Sequence, residues 1–242
     1  VWWCLAMSGA LTTFFFAHLW RRSGVMTDVE LAELRYGGSS AKLLRVIRAL
    51  YLAFPFNCVI IGWVTVGMHK IVQVSLDFNP KEAWMIIILL YAVTCLYVAL
   101  SGLWGVMATD FVQFFVAMGG SIALAVFALN KVGGVDELKS RLVQQYPETG
   151  ESFLRMLPEF STTAGVGKLA LMGFLVMVCV QWWATVYPGA EPGGGGYIAQ
   201  RMFSAKNEKH SVLAVLLFNL AHYALRPWPW ILVALASLVC YP

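Results

Sequence analysis

The chain carries little charge for its length: 12% of its 242 residues are Asp, Glu, Lys or Arg, against about 25% in an average soluble domain. Hydrophobic residues make up 60%, against roughly 45–50% in such domains. This balance nearly excludes a water-soluble fold. The formal net charge of +4 is modest, and we expect no nucleic-acid partner.

Several catalytic and metal-binding patterns are also missing. The five cysteines form no C-x-x-C pair, which argues against disulfide and zinc sites. There is no nucleotide-binding P-loop and no H-E-x-x-H pattern. These absences argue against an enzyme. An intramembrane enzyme acting through His222, Glu191 and Asp110 stays an alternative, although these residues are predicted on different spans and a common centre is geometrically strained.

Long apolar runs are what the sequence does contain. Six of them reach about 20 residues, enough to cross ~30 Å of hydrocarbon at ~1.5 Å per residue. We therefore predict an all-α integral membrane protein with about six transmembrane helices. There is no initiating Met and residue 1 already lies in an apolar run, so we expect 1–242 to be a single, incomplete transmembrane domain. The predicted spans are 1–20, 50–72, 83–103, 106–129, 166–187 and 212–240.

The distribution of Lys and Arg predicts the orientation of these spans. Alternation places loops 21–49, 101–110 and 198–211 on one side, with nine Lys or Arg residues against seven on the other. Because basic residues favour the cytoplasmic side, we predict a multi-pass cell-membrane protein with these three loops in the cytoplasm.

Two loops contain signals for short helices. Thr27 and Glu30 form a capping box, which predicts a surface helix over 28–36. Segment 135–143 has helical apolar spacing, which predicts a second helix lying along the outer face.

Span six contains polar groups where a bilayer disfavours them. Arg226 lies near its middle, and Pro227 and Pro229 directly afterwards break the backbone hydrogen-bond ladder. Asn219, His222 and Arg226 are spaced by three and four residues, which predicts one inward polar face. Two alternatives stay open: Arg226 marks a membrane boundary or snorkels, and His222 is a packing histidine.

The end of span five combines aromatic and polar side chains. Gln181 precedes Trp182 and Trp183, and a segment rich in Pro and Gly then ends the helix. Aromatic walls with a few polar atoms suit a small polar organic ligand. The alternative is an interfacial aromatic belt with a flexible loop. Glu191 follows, and it would neutralise Arg226 if the two spans touch.

Asp110 opens predicted span four, with Thr109 beside it. A carboxylate at a helix N-terminus is stabilised by the macrodipole, so a plain N-cap is one interpretation. The other is cation handling, because these side chains offer hard oxygen ligands on the cytoplasmic side, where an inward-moving ion would leave.

Three segments carry a family resemblance. Segment 102–113, Gly-Leu-Trp-Gly-Val-Met-Ala-Thr-Asp-Phe-Val-Gln, resembles the G-L-x-x-V-x-x-T-D-x-x-Q motif of the sodium:solute symporter family, which includes sugar, proline and pantothenate carriers. Segment 27–37 resembles that family's cytoplasmic T-x-x-E loop ending in R-Y/F-G, and segment 200–206 its Q-R-x-x-x-A-K stretch. The three segments follow the family's order and lie in loops predicted to be cytoplasmic.

The resemblance implies a leucine-transporter-like fold of ten core helices in two inverted repeats, with solute and sodium bound near midplane. This chain would supply core helices two to seven, and the principal sodium site would lie outside it. The implied function is secondary active transport, in which sodium, as the coupling ion, drives uptake of a small polar solute across the lipid bilayer. The alternative is a symporter-like membrane sensor domain of a signalling protein.

The resemblance also implies roles for particular residues. Asp110 with Thr109 would serve sodium coupling, Trp182 and Trp183 lie near an aromatic pair that lines the sugar site, and His222 lies near a basic solute contact. A segment longer than in sugar carriers precedes 200–206, which favours a divergent branch. The expected solute-binding residues are Gln181, Trp182, Trp183, Glu191, His222 and Arg226.

Overall fold

The structure, a computed structural model, describes residues 2–155, 157, 166–180 and 196–241. Within these ranges it contains α-helices, connecting turns and three π-helical turns, and no strand. The predicted all-α fold is confirmed. The α-helices are α1 (Trp2–Leu11), α2 (Ala17–Ser23), α3 (Glu30–Arg35), α4 (Gly38–Tyr51), α5 (Asn57–Leu76), α6 (Pro80–Val132), α7 (Val135–Gln145), α8 (Gly150–Phe153), α9 (Val166–Cys179), α10 (Gly196–Phe203), α11 (Glu208–Asn219) and α12 (Pro227–Cys240), and the π turns are Thr12–Phe16, Leu52–Phe56 and Leu220–Leu225.

Three helical runs of the described chain are long and apolar enough to cross a membrane. They are Gly38–Leu76 with 39 residues, Pro80–Val132 with 53 and Glu208–Cys240 with 33. Predicted spans two, three, four and six lie in these runs. Predicted span one falls on α1, α2 and the π turn between them. Span five begins as α9, and its predicted end lies outside the described residues.

A kink at Gly102 interrupts α6. A straight helix of 53 residues would be about 80 Å long, more than twice the hydrocarbon thickness. Gly102 has φ 61° and ψ −159°, a conformation that strongly favours glycine. The helix resumes directly after it, so the predicted loop 101–110 is wrong: one non-helical glycine stands where we predicted a loop of ten residues.

The chain forms two compact units. The first comprises Val1–Leu31 and Met118–Pro242, and the second Ala32–Ala117. In the first unit, α1 and α2 pack against α10 and α11. Small side chains permit this approach, because Ala17 and Ala199 are fully buried in the same cluster as Met202.

Two contacts join the ends of α2 and α11 that were predicted to be cytoplasmic. Arg22 donates two hydrogen bonds of 3.0 Å to the Glu208 carboxylate. Ser211 donates its hydroxyl to the Ala17 carbonyl at 2.8 Å. Between α2 and α10, Trp20 meets Phe203 edge to face at 5.2 Å.

The opposite end of the first unit is closed by α7. Leu138 is buried in a cluster with Val132 and with Ala236 of α12. The predicted helix over 135–143 is therefore confirmed, and its apolar face packs on the last helix of the chain.

The second unit contains α4, α5 and the first part of α6. Asp77, with φ 53°, ends α5, and α6 begins at Pro80. The His69 ring lies 4.8 Å from that of Trp84 and Thr65 hydrogen bonds to Tyr91, so polar and aromatic contacts join these antiparallel neighbours.

The helix predicted over 28–36 is present but shorter, because α3 covers Glu30–Arg35. The hydrogen bonds before it differ from those of the predicted capping box. The Glu30 N–H donates to the backbone carbonyl of Thr27 at 3.2 Å instead of its hydroxyl, and the Glu30 carboxylate accepts from the N–H of Met26 at 2.8 Å instead of that of Thr27.

Candidate functional site

The structure describes half of the predicted site residues. Gln181, Trp182, Trp183 and Glu191 lie outside the described ranges. His222 and Arg226 lie in the first unit, and Thr109 and Asp110 in the second.

The middle of predicted span six is irregular, as the sequence predicts. Helix α11 ends at Asn219, a π turn follows over Leu220–Leu225, and α12 begins with prolines in its first turn. The Arg226 N–H donates to the carbonyl of Ala221, five residues earlier, at 3.0 Å. π turns of this kind often occur at functional sites.

Arg226 has aromatic and neutral partners. Its guanidinium carbon lies 4.5 Å from the centre of the Trp230 ring, and Nη1 lies 3.3 Å from Nδ1 of His222. A charge at the centre of a span costs at least about 2.5–3.5 kcal/mol. A cation–π contact offsets about 0.5–2 kcal/mol of that, so these partners compensate the charge only in part.

Further side chains hold these partners in place. The His222 ring stacks on Phe218, with centroids 5.2 Å apart and planes within 9°, and meets Tyr223 edge to face at 4.9 Å. The indole N–H of Trp230 lies 3.3 Å from the hydroxyl of Ser121 on α6. Arg226 therefore lies among aromatic rings with defined neighbours.

Asn219 belongs to a different contact from His222 and Arg226. Its Nδ2 donates to the Gly9 carbonyl at 3.0 Å and to Thr13 Oγ1 at 2.7 Å. The predicted single polar face is thus divided in two. The π turn between Asn219 and Arg226 explains the division, because it changes the helical spacing on which the prediction relied.

The partners of Asn219 were not among the residues predicted from the sequence. Gly9 lies on α1 and Thr13 in the following π turn, and Thr13 donates its hydroxyl to the Gly9 carbonyl at 2.9 Å. A Cβ atom on Gly9 would lie 2.1 Å from Asn219 Oδ1, so the contact requires glycine. The available signal was Gly with Ser and Thr inside an apolar run, a pattern typical of close helix–helix packing in membranes.

Asp110 is not at a helix N-terminus. The helix resumes after Gly102, so Asp110 lies in its third turn, and the N-cap interpretation is wrong. The Asp110 side chain is exposed, whereas Thr109 is half-buried. Thr109 directs its hydroxyl to the carbonyls of Gly105 and Val106 of its own helix, at 3.0 and 2.9 Å.

The described residues contain no cluster of three or more His, Cys, Asp or Glu side chains that could hold a metal ion. Asp110 and Thr109 together offer one carboxylate and one hydroxyl oxygen. A hard cation takes about six oxygen ligands, so a cation here needs backbone carbonyls, water or other parts of the protein as well.

The chain is similar to known membrane carriers. A family model described as the sodium:solute symporter family matches residues 2–225. Solute carrier family 5 member 4A of Mus musculus is 28% identical over 141 residues, which cover 57% of this chain and 20% of that protein. The sodium/myo-inositol cotransporter of Mus musculus is 28% identical over 148 residues, covering 60% and 19%.

A third relative is similar to the chain to the same extent. Sodium/glucose cotransporter 1 of Oryctolagus cuniculus is 28% identical over 139 residues, which cover 54% of this chain and 19% of that protein. The matched part of the chain thus spans about a fifth of the length of these relatives. No solved structure gives a significant match. The family match ends at Leu225, one residue before Arg226.

Proposed function

Because the chain belongs to the sodium:solute symporter family, we propose that it is part of a secondary active transporter in which sodium entry drives uptake of a small polar solute. The observation that carries this proposal is the family match over residues 2–225. The relatives that support it are named as sodium cotransporters, which favours a transporter over the sensor alternative and over an enzyme.

Within this proposal the chain supplies core helices two to seven of a ten-helix inverted-repeat fold in the cell membrane. Loops 21–49 and 198–211 face the cytoplasm, as does the kink at Gly102, and the principal sodium site lies on core helices outside this chain. The kink at Gly102 supports the proposal, because it interrupts the long apolar helix α6 within a segment that resembles a family motif.

The solute is bound near the broken helix of span six. His222 and Arg226 supply polar contacts there, and Gln181, Trp182, Trp183 and Glu191 contribute from the end of span five. An irregular helix and a half-buried cation in the middle of an apolar span are typical of a transporter binding site.

Sodium coupling involves Asp110 and Thr109. Sodium and solute each have to favour the same conformational step for their binding free energies to be linked. An exposed carboxylate in the third turn after Gly102 offers the negative charge that a cation meets on its way to the cytoplasm.

The test uses the full-length protein in proteoliposomes with an imposed sodium gradient. We expect Asp110→Asn to reduce sodium-driven uptake, or to raise the sodium concentration for half-maximal uptake, by about tenfold, the usual size of a coupling between sites. The matched control is Asp136→Asn, which neutralises an exposed carboxylate in the first turn of α7 and should leave uptake unchanged. Equal sodium dependence in wild type and Asp110→Asn would remove Asp110 from the mechanism.

A further inference from the structure

Arg226 lies far from both ends of the apolar helical run that contains it. It lies eighteen residues after the start and fourteen residues before the end of the apolar helical run Glu208–Cys240. At ~1.5 Å per residue, both ends are more than about 20 Å away. A guanidinium this far from either end of the run requires a compensating group inside the protein.

Neither described partner of Arg226 supplies negative charge. His222 offers a ring nitrogen at 3.3 Å and Trp230 offers its π face. Among the described residues, carboxylates pair with Arg22, Arg45, Arg141 and Arg155, and none of them pairs with Arg226.

The contact with Trp230 leaves Arg226 suited to an anion. An arginine has five N–H donors in a planar fork that matches a carboxylate, and a cation–π contact with an aromatic ring takes up no hydrogen-bond acceptor. One of these donors, on Nη1, is directed to His222. Ser121 holds Trp230 through the indole N–H, so the ring beneath the cation is itself positioned.

We propose that Arg226 binds the carboxylate of the transported solute, so that the solute is a small organic anion and not a neutral sugar. The organic part of the solute lies among the rings around Arg226, where Trp230, His222 and Phe218 offer apolar faces. This inference rests on the proposed transport function, and it goes further by naming the charge of the solute.

The experiment compares acids with neutral analogues in full-length protein reconstituted into phosphatidylcholine vesicles. The probes are three pairs: lactate with 1,2-propanediol, proline with prolinamide, and glucuronate with glucose. We expect sodium-driven uptake of at least one acid, at about 10- to 100-fold the rate of its neutral partner, as for one charge-assisted hydrogen-bonded contact.

Variants at Arg226 assign that preference to its guanidinium. Arg226→Gln should lower uptake of the preferred acid by about 10- to 100-fold. Arg226→Lys keeps the charge but not the planar fork, and should retain part of the uptake, which also shows that the site folds. The control Arg155→Gln removes a cation that pairs with Glu151 outside the predicted spans and should not change the preference.

Two further experiments test whether the anion that Arg226 binds is the solute, the Glu191 side chain or a lipid phosphate. If Glu191 is the counter-ion of Arg226, Glu191→Gln will restore uptake to Arg226→Gln, and the proposal is then overturned. If the anion is a lipid phosphate, the effect of Arg226→Gln will require phosphatidylglycerol in the vesicles and disappear in pure phosphatidylcholine, which also overturns it. If Arg226→Gln lowers uptake of the acid in both experiments, with Glu191→Gln present and in pure phosphatidylcholine, the result supports the solute as the anion.

The remaining outcomes distinguish the two proposals. Sodium-driven uptake in which neutral and acidic probes are equal overturns the anion assignment and leaves sodium-coupled transport standing. Absence of sodium-driven uptake for all six probes overturns the proposed function, and the anion assignment with it.

Discussion

One polar contact lies on each side of the π turn Leu220–Leu225. The two contacts differ in whether the described residues supply suitable partners for the polar group. Before the turn, Asn219 donates to a carbonyl and a hydroxyl of the neighbouring helical run. After it, Arg226 contacts an imidazole and an indole ring. The first contact is complete within the protein. The second leaves a positive charge without a described counter-charge, which is why it is the better candidate for binding a ligand.

The two contacts also differ in which helices they join. Residues 9 and 219 are far apart in sequence, and their contact joins α1 to α11. The Arg226 cluster instead lies mostly along one helical run, and its contact with α6 joins Trp230 to Ser121. We therefore expect the first contact to matter for stability and the second for solute binding.

The largest effect on stability should come from filling the space at Gly9. A Cβ atom there would lie 2.1 Å from Asn219 Oδ1, so Gly9→Ala forces the two helices or the Asn219 side chain apart and should cost about 1–3 kcal/mol. The measurement is thermal unfolding of the purified full-length protein in detergent.

Gly62 provides the matched control. It lies inside α5, and a Cβ atom there meets nothing within 4 Å. Gly62→Ala should therefore stabilise the protein by up to about 1 kcal/mol, because alanine loses less backbone entropy in a helix. Equal effects of the two substitutions would contradict the close contact at Gly9.

A smaller effect should follow from removing the hydrogen bonds of Asn219. Asn219→Leu keeps the branched shape of the side chain but loses its two N–H donors, and should destabilise the protein by about 0.6–2 kcal/mol, as for hydrogen bonds between helices in membranes. A double-mutant cycle with Thr13→Val measures the interaction free energy between the two side chains. Full additivity of the two changes would show that Asn219 and Thr13 do not interact.

The smallest effect should come from the Arg226 cluster. Trp230→Phe keeps an aromatic ring beneath the guanidinium, removes the N–H that meets Ser121 and replaces the indole by a smaller ring. We expect the free energy of unfolding to fall by at most about 1 kcal/mol, measured by thermal unfolding. Ser121→Ala removes the other side of the same hydrogen bond and should have a similar effect. If this loss exceeds that of Gly9→Ala, the cluster is a structural contact, and the distinction between the two regions fails.

Part of the candidate site was accessible from local sequence. Arg226 between apolar residues, with two prolines after it, predicted a broken helix with an inward charge, and the π turn and the interrupted ladder confirm the break. The interpretation of Asn219, His222 and Arg226 as one face assumed regular helical spacing. A π turn changes that spacing, and periodicity does not indicate where such a turn will form.

The position of Asp110 illustrates a second kind of error. The ends of predicted spans three and four implied a loop over 101–110, whereas a single glycine with positive φ kinks the helix and the helix continues. Sequence patterns mark a glycine as a breaker but do not indicate how few residues a turn needs.

The helical class, the apolar spans and the family could be predicted from local patterns, because each depends on local quantities: the length of apolar runs relative to bilayer thickness, and short motifs in order. Which polar groups meet depends on how the helices pack. The pairing of Gly9 and Thr13 with Asn219, and of Ser121 with Trp230, joins residues more than a hundred positions apart. Such contacts depend on the packing of whole helices, which no local pattern records.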